Sequence, residues 1–371
     1  MLRMRVRSAQ LALLLSCVAA LAGFFLLTVG SDALADRSAF QFFADSKTYM
    51  RIYSGEQYLA NDALLSISDN YVGPLLLLRA TRGNIYLVML FNVTLFWISV
   101  LLLTAALRLD ALKTGALLLL SPLTISSLLS VNKEIFVLPF IALAIVGYTR
   151  RSLPLLLIAL AATVLVRWQL TAFFLVLLGA STRVGRLGRH RVLVLLVLLV
   201  SSSVAYLMLS NIFADVIAVV ERTVWEDFDQ GSGLFTVLNS YQQRGAYFLV
   251  FPLKAAHLLF ALGLRFDRML NPTNIYNDLF VGIHCTVTLA MFALLAWRRL
   301  FTLRSDLVYA SMIFLIVFCL SPIYAPRYLY PVFVAWVIAL CGAPQGIVVP
   351  RERRRAADLA GLARPALPGI R

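Results

Sequence analysis

Between Ile85 and Leu107 the chain runs for 23 residues without a single charged side chain. A helix rises 1.5 Å per residue, so a run of this length reaches across a bilayer core of about 30 Å. Similar apolar runs recur along the sequence: about 9–29, 114–130, 135–148, 153–166, 168–180, 192–211, 279–297, 307–322 and 329–343. Of the 371 residues, 61% are hydrophobic and only 14% charged. Soluble globular chains average about 45–50% apolar and about 25% charged. Too few polar residues remain to cover a water-facing surface, and disordered, collagen-like and coiled-coil classes are excluded as well. The expected fold is all-α: a polytopic bundle of about ten transmembrane helices forming one domain over residues 1–343. The stretch 153–180 also admits one long helix in place of two short ones. Residues 344–371 read as a basic cytoplasmic tail, expected to be disordered against anionic headgroups.

The net charge of +15 follows from that topology, because Lys and Arg collect on the cytoplasmic side. Nucleic-acid binding is not expected. With the N-terminus inside, the pieces 1–8, 108–113, 149–152, 181–191, 298–306 and 344–371 hold 20 of the 33 basic residues and four of the 18 acids. One wrong span would spoil this separation. Both termini are therefore expected in the cytoplasm. The basic residues are 29 Arg and four Lys, which reads as the bias of a GC-rich bacterial genome and not as chemistry; the bacterial inner membrane is the expected location. Leu11–Val29 is longer than the ~7–15 residues of a signal-peptide core, so an uncleaved anchor is expected. Two outer segments result, 30–84 and 212–278, both with stretches suited to lie on the membrane surface. The apolar stretch 246–263 reads as re-entrant or interfacial, since counting it as a span breaks the alternation. Cys17, Cys285, Cys319 and Cys341 all sit in apolar runs and read as small buried hydrophobes.

Ionisable residues at membrane depth are costly and point to function. Four places stand out. Asp45 and Tyr49, four apart, share a helix face in the first outer segment, where a carboxylate can take a proton from a sugar hydroxyl; Asp45 equally reads as a solvated loop acid, with Asp32, Asp36, Glu56 and Asp62 nearby. Asn132-Lys133-Glu134 interrupts more than thirty apolar residues. Lys133 can contact a phosphate, and Glu134 can orient it or bind a metal; a tight turn with a local ion pair explains them equally. Arg167 needs a partner, either a phosphate or Glu134, unless it is an interfacial Arg beside a belt Trp. Arg327 and Tyr328, bracketed by Pro326 and Pro331, suit a lipid-linked phosphate or an anchoring aromatic belt. Glu221, Arg222, Glu226 and Asp227 are weaker candidates for binding acceptor hydroxyls or a divalent ion. Arg79 and Arg82 are candidates for lining a groove. No GxxxxGK[ST], GxGxxG or GxSxG motif occurs, so nucleotide-driven chemistry has no support.

In order and layout these places resemble the GT-C class of integral membrane glycosyltransferases, and in particular bacterial members that use a polyprenyl-phosphate-linked sugar. The resemblance rests on Asp45-Ser46 with Tyr49, Ser121-Pro122 leading to Asn132-Lys133-Glu134, Arg167, and Pro326-Arg327-Tyr328 with Pro331. It implies that Asp45 acts as general base on the acceptor hydroxyl. Lys133, Arg167 and Arg327 would hold the leaving lipid phosphate, with Tyr49, Asn132, Glu134 and Tyr328 in support. The implied partners are the lipid-linked donor, a glycan or lipid acceptor, and membrane lipids. Many members carry an Asp-Glu or Glu-X-Asp pair where this chain has Asp45-Ser46, which weakens a metal-dependent route; a divalent metal stays open as the sole cofactor.

Two other readings compete. A repeat-unit polymerase of O-antigen or exopolysaccharide would rely on Arg222, Arg244, Arg265 and Arg268 more than on Asp45. A secondary transporter or lipid-linked sugar flippase would favour an internal repeat and midplane charges. No repeat is visible here, and the unusual charges fall at the outer helix ends.

Overall fold

The computed structural model describes residues 45–56, 71–180, 190–208, 233–261, 270 and 279–342. Helices make up 83% of these, and no strand occurs among them, so the all-α expectation holds. The first run, about 9–29, and the tail lie outside the described residues, as do Glu221, Arg222, Glu226 and Asp227.

Two short helices, α1 (Ser46–Tyr53) and α2 (Val72–Ala80), precede the long apolar helix α3 (Ile85–Leu107). Next come α4 (Ala111–Leu119), α5 (Pro122–Leu129), a 3-10 turn at Glu134–Phe136, α6 (Val137–Arg150), α7 (Leu153–Val166), α8 (Trp168–Ala180) and α9 (Arg191–Met208). A helical hairpin, α10 (Gly233–Gln243) and α11 (Tyr247–Phe260), leads on to α12 (Val281–Trp297) and α13 (Asp306–Phe318). A 3-10 turn at Pro326–Leu329 opens into α14 (Tyr330–Gly342). Helices α3 and α9 are long and apolar enough to cross a membrane. Six further apolar helices are shorter, among them α11, which occupies the stretch read as re-entrant or interfacial.

The run 114–130 is not one straight span. It divides into α4 and α5, which meet at 90° and would make a third crossing only as a bent pair. Pro122 is the cause. Its ring disfavours helical backbone at the preceding residue, so Ser121 is extended (φ −82, ψ 120). Pro122 then opens α5 in its first turn, where a missing N–H costs nothing. Neighbours pin the bend. Ser121 Oγ pairs with His284 Nδ1 of α12 at 2.8 Å, and Thr124 Oγ1 with the Tyr330 hydroxyl of α14 at 2.9 Å.

Helix α14 is the hub of the bundle. Val332, Phe333, Val334 and Trp336 are fully buried, and α14 packs on α13, α12, α4 and α6. Left-handed arginines close the turns at one end: Arg108 after α3, Arg151 after α6 and Arg299 after α12. All three fall in the turns that the charge separation assigns to the cytoplasm. Lys133, Arg167 and Arg327 fall at the other helix ends and so share one end of the bundle.

Gly73 of α2 lies against α7 so closely that a Cβ would strike the Leu165 carbonyl oxygen and the Phe136 ring. Gly73→Ala should therefore lower stability by about 1–3 kcal/mol, the usual cost of overpacking. A fall in the thermal midpoint of the purified protein in detergent checks this, with Gly179→Ala, which meets open space, as the control.

Candidate functional site

The polar residues of this site stand where helices break. Ser130 is extended (φ −133, ψ 167) and ends α5. Asn132 then caps the 3-10 turn: its Oδ1 accepts from Ile135 N at 3.2 Å, and its Nδ2 donates to Ser130 Oγ at 3.2 Å. Asn132 thus shapes the turn, and Lys133 and Glu134 supply the charge. From the middle of α3, Asn92 Nδ2 donates to the carbonyls of Ser127, Leu128 and Ser130 at 3.1, 3.3 and 2.8 Å. These are carbonyls that the end of α5 leaves open, so Asn92 fixes the loop that carries Lys133.

Arg167 sits in extended backbone between α7 and α8. Its Nη2 donates to Glu134 Oε1 at 2.8 Å, with both side chains under 10% exposed. The guanidinium carbon lies 3.4 Å from the centre of the Tyr328 ring. Of the two partners open to Arg167 from the sequence, the structure supplies Glu134.

Asp45 precedes α1 in left-handed backbone (φ 69, ψ −20), a conformation costing an aspartate of order 1–3 kcal/mol. Its side chain makes no cap bond to the helix it precedes. Instead Oδ2 accepts from Arg327 Nη2 at 3.0 Å. Ser46 Oγ donates to the Val131 carbonyl at 2.6 Å and ties this helix start to the Lys133 loop. Tyr49, one turn on, is buried with its ring edge-on to Tyr71.

The structure therefore brings Asp45, Tyr49, Lys133, Glu134, Arg167, Arg327 and Tyr328 into one electrostatic cluster. Burial works against ionising Asp45, but the charges of Arg327, Lys133 and Arg167 outweigh it and hold its carboxyl below the ordinary aspartate value. For Lys133, burial and then the charge of Arg167 lower the ammonium, against the pull of Glu134, Tyr328 and Asp45. Burial, Asp45 and Glu134 push the Tyr49 phenol well up, so Tyr49 is a neutral donor. The Tyr328 phenol is lowered, because Arg167, Arg327 and Lys133 overcome its burial.

Lys133 is the odd charge. Only 4% exposed, its ammonium has no hydrogen bond or ion pair among the described residues. The nitrogen keeps some accessible surface, and an anion entering the cluster would pair with it there. The space around Arg167 is tight. A cleft between Glu134, Arg167, Arg327 and Tyr328 holds about 10 Å³, room for roughly one water. Among the described residues no three His, Cys, Asp or Glu side chains gather to hold a metal ion. Arg79, Arg82 and Arg244 are exposed. No protein-family model, curated protein or solved structure matches the chain.

Arg167→Met removes the hydrogen-bonded partner of buried Glu134, leaving it only the more distant charge of Lys133, and should cost about 3–5 kcal/mol of stability. Adding Glu134→Gln should restore most of that loss. Melting of the single and double variants in the same detergent measures both effects.

Proposed function

We propose that this chain is a membrane-embedded glycosyltransferase. It moves a hexosyl or pentosyl unit from a polyprenyl-phosphate-linked donor to an acceptor hydroxyl on the extracytoplasmic side of the bacterial inner membrane, in cell-envelope glycan assembly. One observation carries this reading: a carboxylate in strained backbone meets three cations at one end of an apolar helical bundle, and one of those cations, Lys133, has no hydrogen bond or ion pair among the described residues. Outside the membrane no nucleotide sugar is at hand, so a lipid-linked phosphate is the natural leaving group. Apolar helices suit its prenyl chain, and cations suit its phosphate.

The charge count narrows the donor. Lys133, Arg167 and Arg327 against Asp45 and Glu134 leave one net positive charge. A phosphodiester-linked sugar carries one negative charge and balances it. A diphosphate would leave an uncompensated buried charge, at a cost of several kcal/mol. In this mechanism the phosphate enters by drawing Arg327 from Asp45, with Lys133 as a further contact. Asp45, released, takes the proton of the acceptor hydroxyl as the acceptor oxygen bonds to the anomeric carbon. The bond from that carbon to the phosphate oxygen breaks, and the cations stabilise the departing charge in a low-dielectric setting.

Two outcomes test this with full-length protein in nanodiscs and radiolabelled prenyl-phosphate sugars. Asp45→Asn should lower transfer by about 10²–10⁴-fold, the usual contribution of a positioned base, with donor binding retained. Unchanged transfer overturns the assignment. The second outcome is a pH profile. In the free protein Asp45 ionises below the ordinary aspartate value of 3.8, so the acid limb of kcat/KM should fall below pH 4. Bound donor takes Arg327 away and adds negative charge, which makes ionisation harder. The acid limb of kcat should therefore lie at higher pH than that of kcat/KM.

A further inference from the structure

Lys254 of α11 is fully buried within an apolar helix, and no acid pairs with it among the described residues. Its ammonium donates to Asn239 Oδ1 at 2.8 Å, to Gln242 Oε1 at 2.6 Å and to the Ser321 carbonyl at 2.9 Å. The two amides that accept from it also reach the same backbone. Asn239 Nδ2 donates to the Pro322 carbonyl at 2.9 Å, and Gln242 Nε2 to the Leu320 carbonyl at 2.7 Å. Three side chains of one hairpin thus hold three consecutive carbonyls, 320, 321 and 322, just beyond the end of α13. Those carbonyls have no helical partner of their own, and in an apolar setting no water replaces one.

The grip continues toward the cluster. Phe235 lies under the Lys254 ammonium at 4.9 Å and packs edge-on against Tyr324 at 5.2 Å, while His257 tilts over the same Tyr324 at 5.1 Å. Tyr324 is three residues from Arg327, and α14 anchors the far side. A buried ammonium among neutral acceptors adds little stability that an aliphatic side chain would not supply. It does fix direction, since its three donors converge on three acceptors.

We propose that Lys254, with Asn239 and Gln242, is a positioning residue for the phosphate-binding cluster: the α10–α11 hairpin clasps residues 320–322 and thereby sets where Arg327 stands. This rests on the phosphate reading of the cluster given above.

The test uses full-length protein in nanodiscs, with farnesyl phosphate at about pH 5, where it is mostly a monoanion, as the probe. Lys254→Met keeps the stem and removes the charge; Gln242→Leu removes one grip and serves if the first variant does not fold. Both should speed amide hydrogen exchange at 320–328 and leave 131–136 unchanged. Both should weaken farnesyl phosphate binding roughly 3- to 30-fold. In an Arg327→Ala background Lys254→Met should cause no further loss, whereas with Lys133→Ala the two losses should multiply. Unchanged exchange overturns the clasp. Faster exchange with unaltered affinity overturns the positioning role, as does a loss that persists without Arg327. If Arg327→Ala itself binds the probe like the wild type, the phosphate reading fails instead, and the exchange data alone decide the clasp.

Discussion

A charge buried among apolar helices must find an opposite charge or a full set of acceptors close by, and the described part of this bundle is arranged around that demand. Arg167 is 6% exposed and Glu134 7%, so each depends chiefly on the other. Their contact joins the end of α7 to the start of α6. The Asp45–Arg327 contact likewise joins the head of α1 to the turn before α14. Such pairs rarely add net stability over a well-packed apolar alternative. Their value is that each tethers a group suited to chemistry at a definite place.

The backbone does the placing. Each of these side chains leaves from outside a regular α-helix: Asp45 in left-handed geometry, Arg167 extended, Lys133 at the head of the 3-10 turn that follows extended Ser130, Arg327 in a 3-10 turn. A regular helix spreads its side chains round a cylinder. Breaks allow several helices to aim charged groups at one point, and they leave polar backbone to be satisfied. Asn92 and Ser46 take up that task near Lys133, as Asn239, Gln242 and Lys254 do near Arg327.

Much of this could be read from the chain itself. The bounds of α3 coincide with the uncharged run, and α7 and α8 divide at Arg167, because a polar residue inside an apolar run marks a break. The bend of α4 on α5 was signalled by Pro122 but hidden by the continuous apolarity of 114–130. Asp45, Lys133, Arg167 and Arg327 stood out by position, yet their meeting could not be deduced, since it depends on contacts such as Ser46 to Val131, 85 residues apart. Asn132 looked like part of the charged group and proves to be a turn cap. Lys254 was the least legible. A lone lysine in an apolar stretch is a signal, but its partners are neutral amides and a carbonyl, which carry no charge pattern to search for.

The Asp45–Arg327 contact also bears on how the molecule is made. The acid leaves the ribosome early and its guanidinium partner only after most of the bundle has been synthesised. A nascent or truncated chain therefore displays the carboxylate without its counterpart, and the charged cluster is complete only once the turn before α14 has joined the bundle.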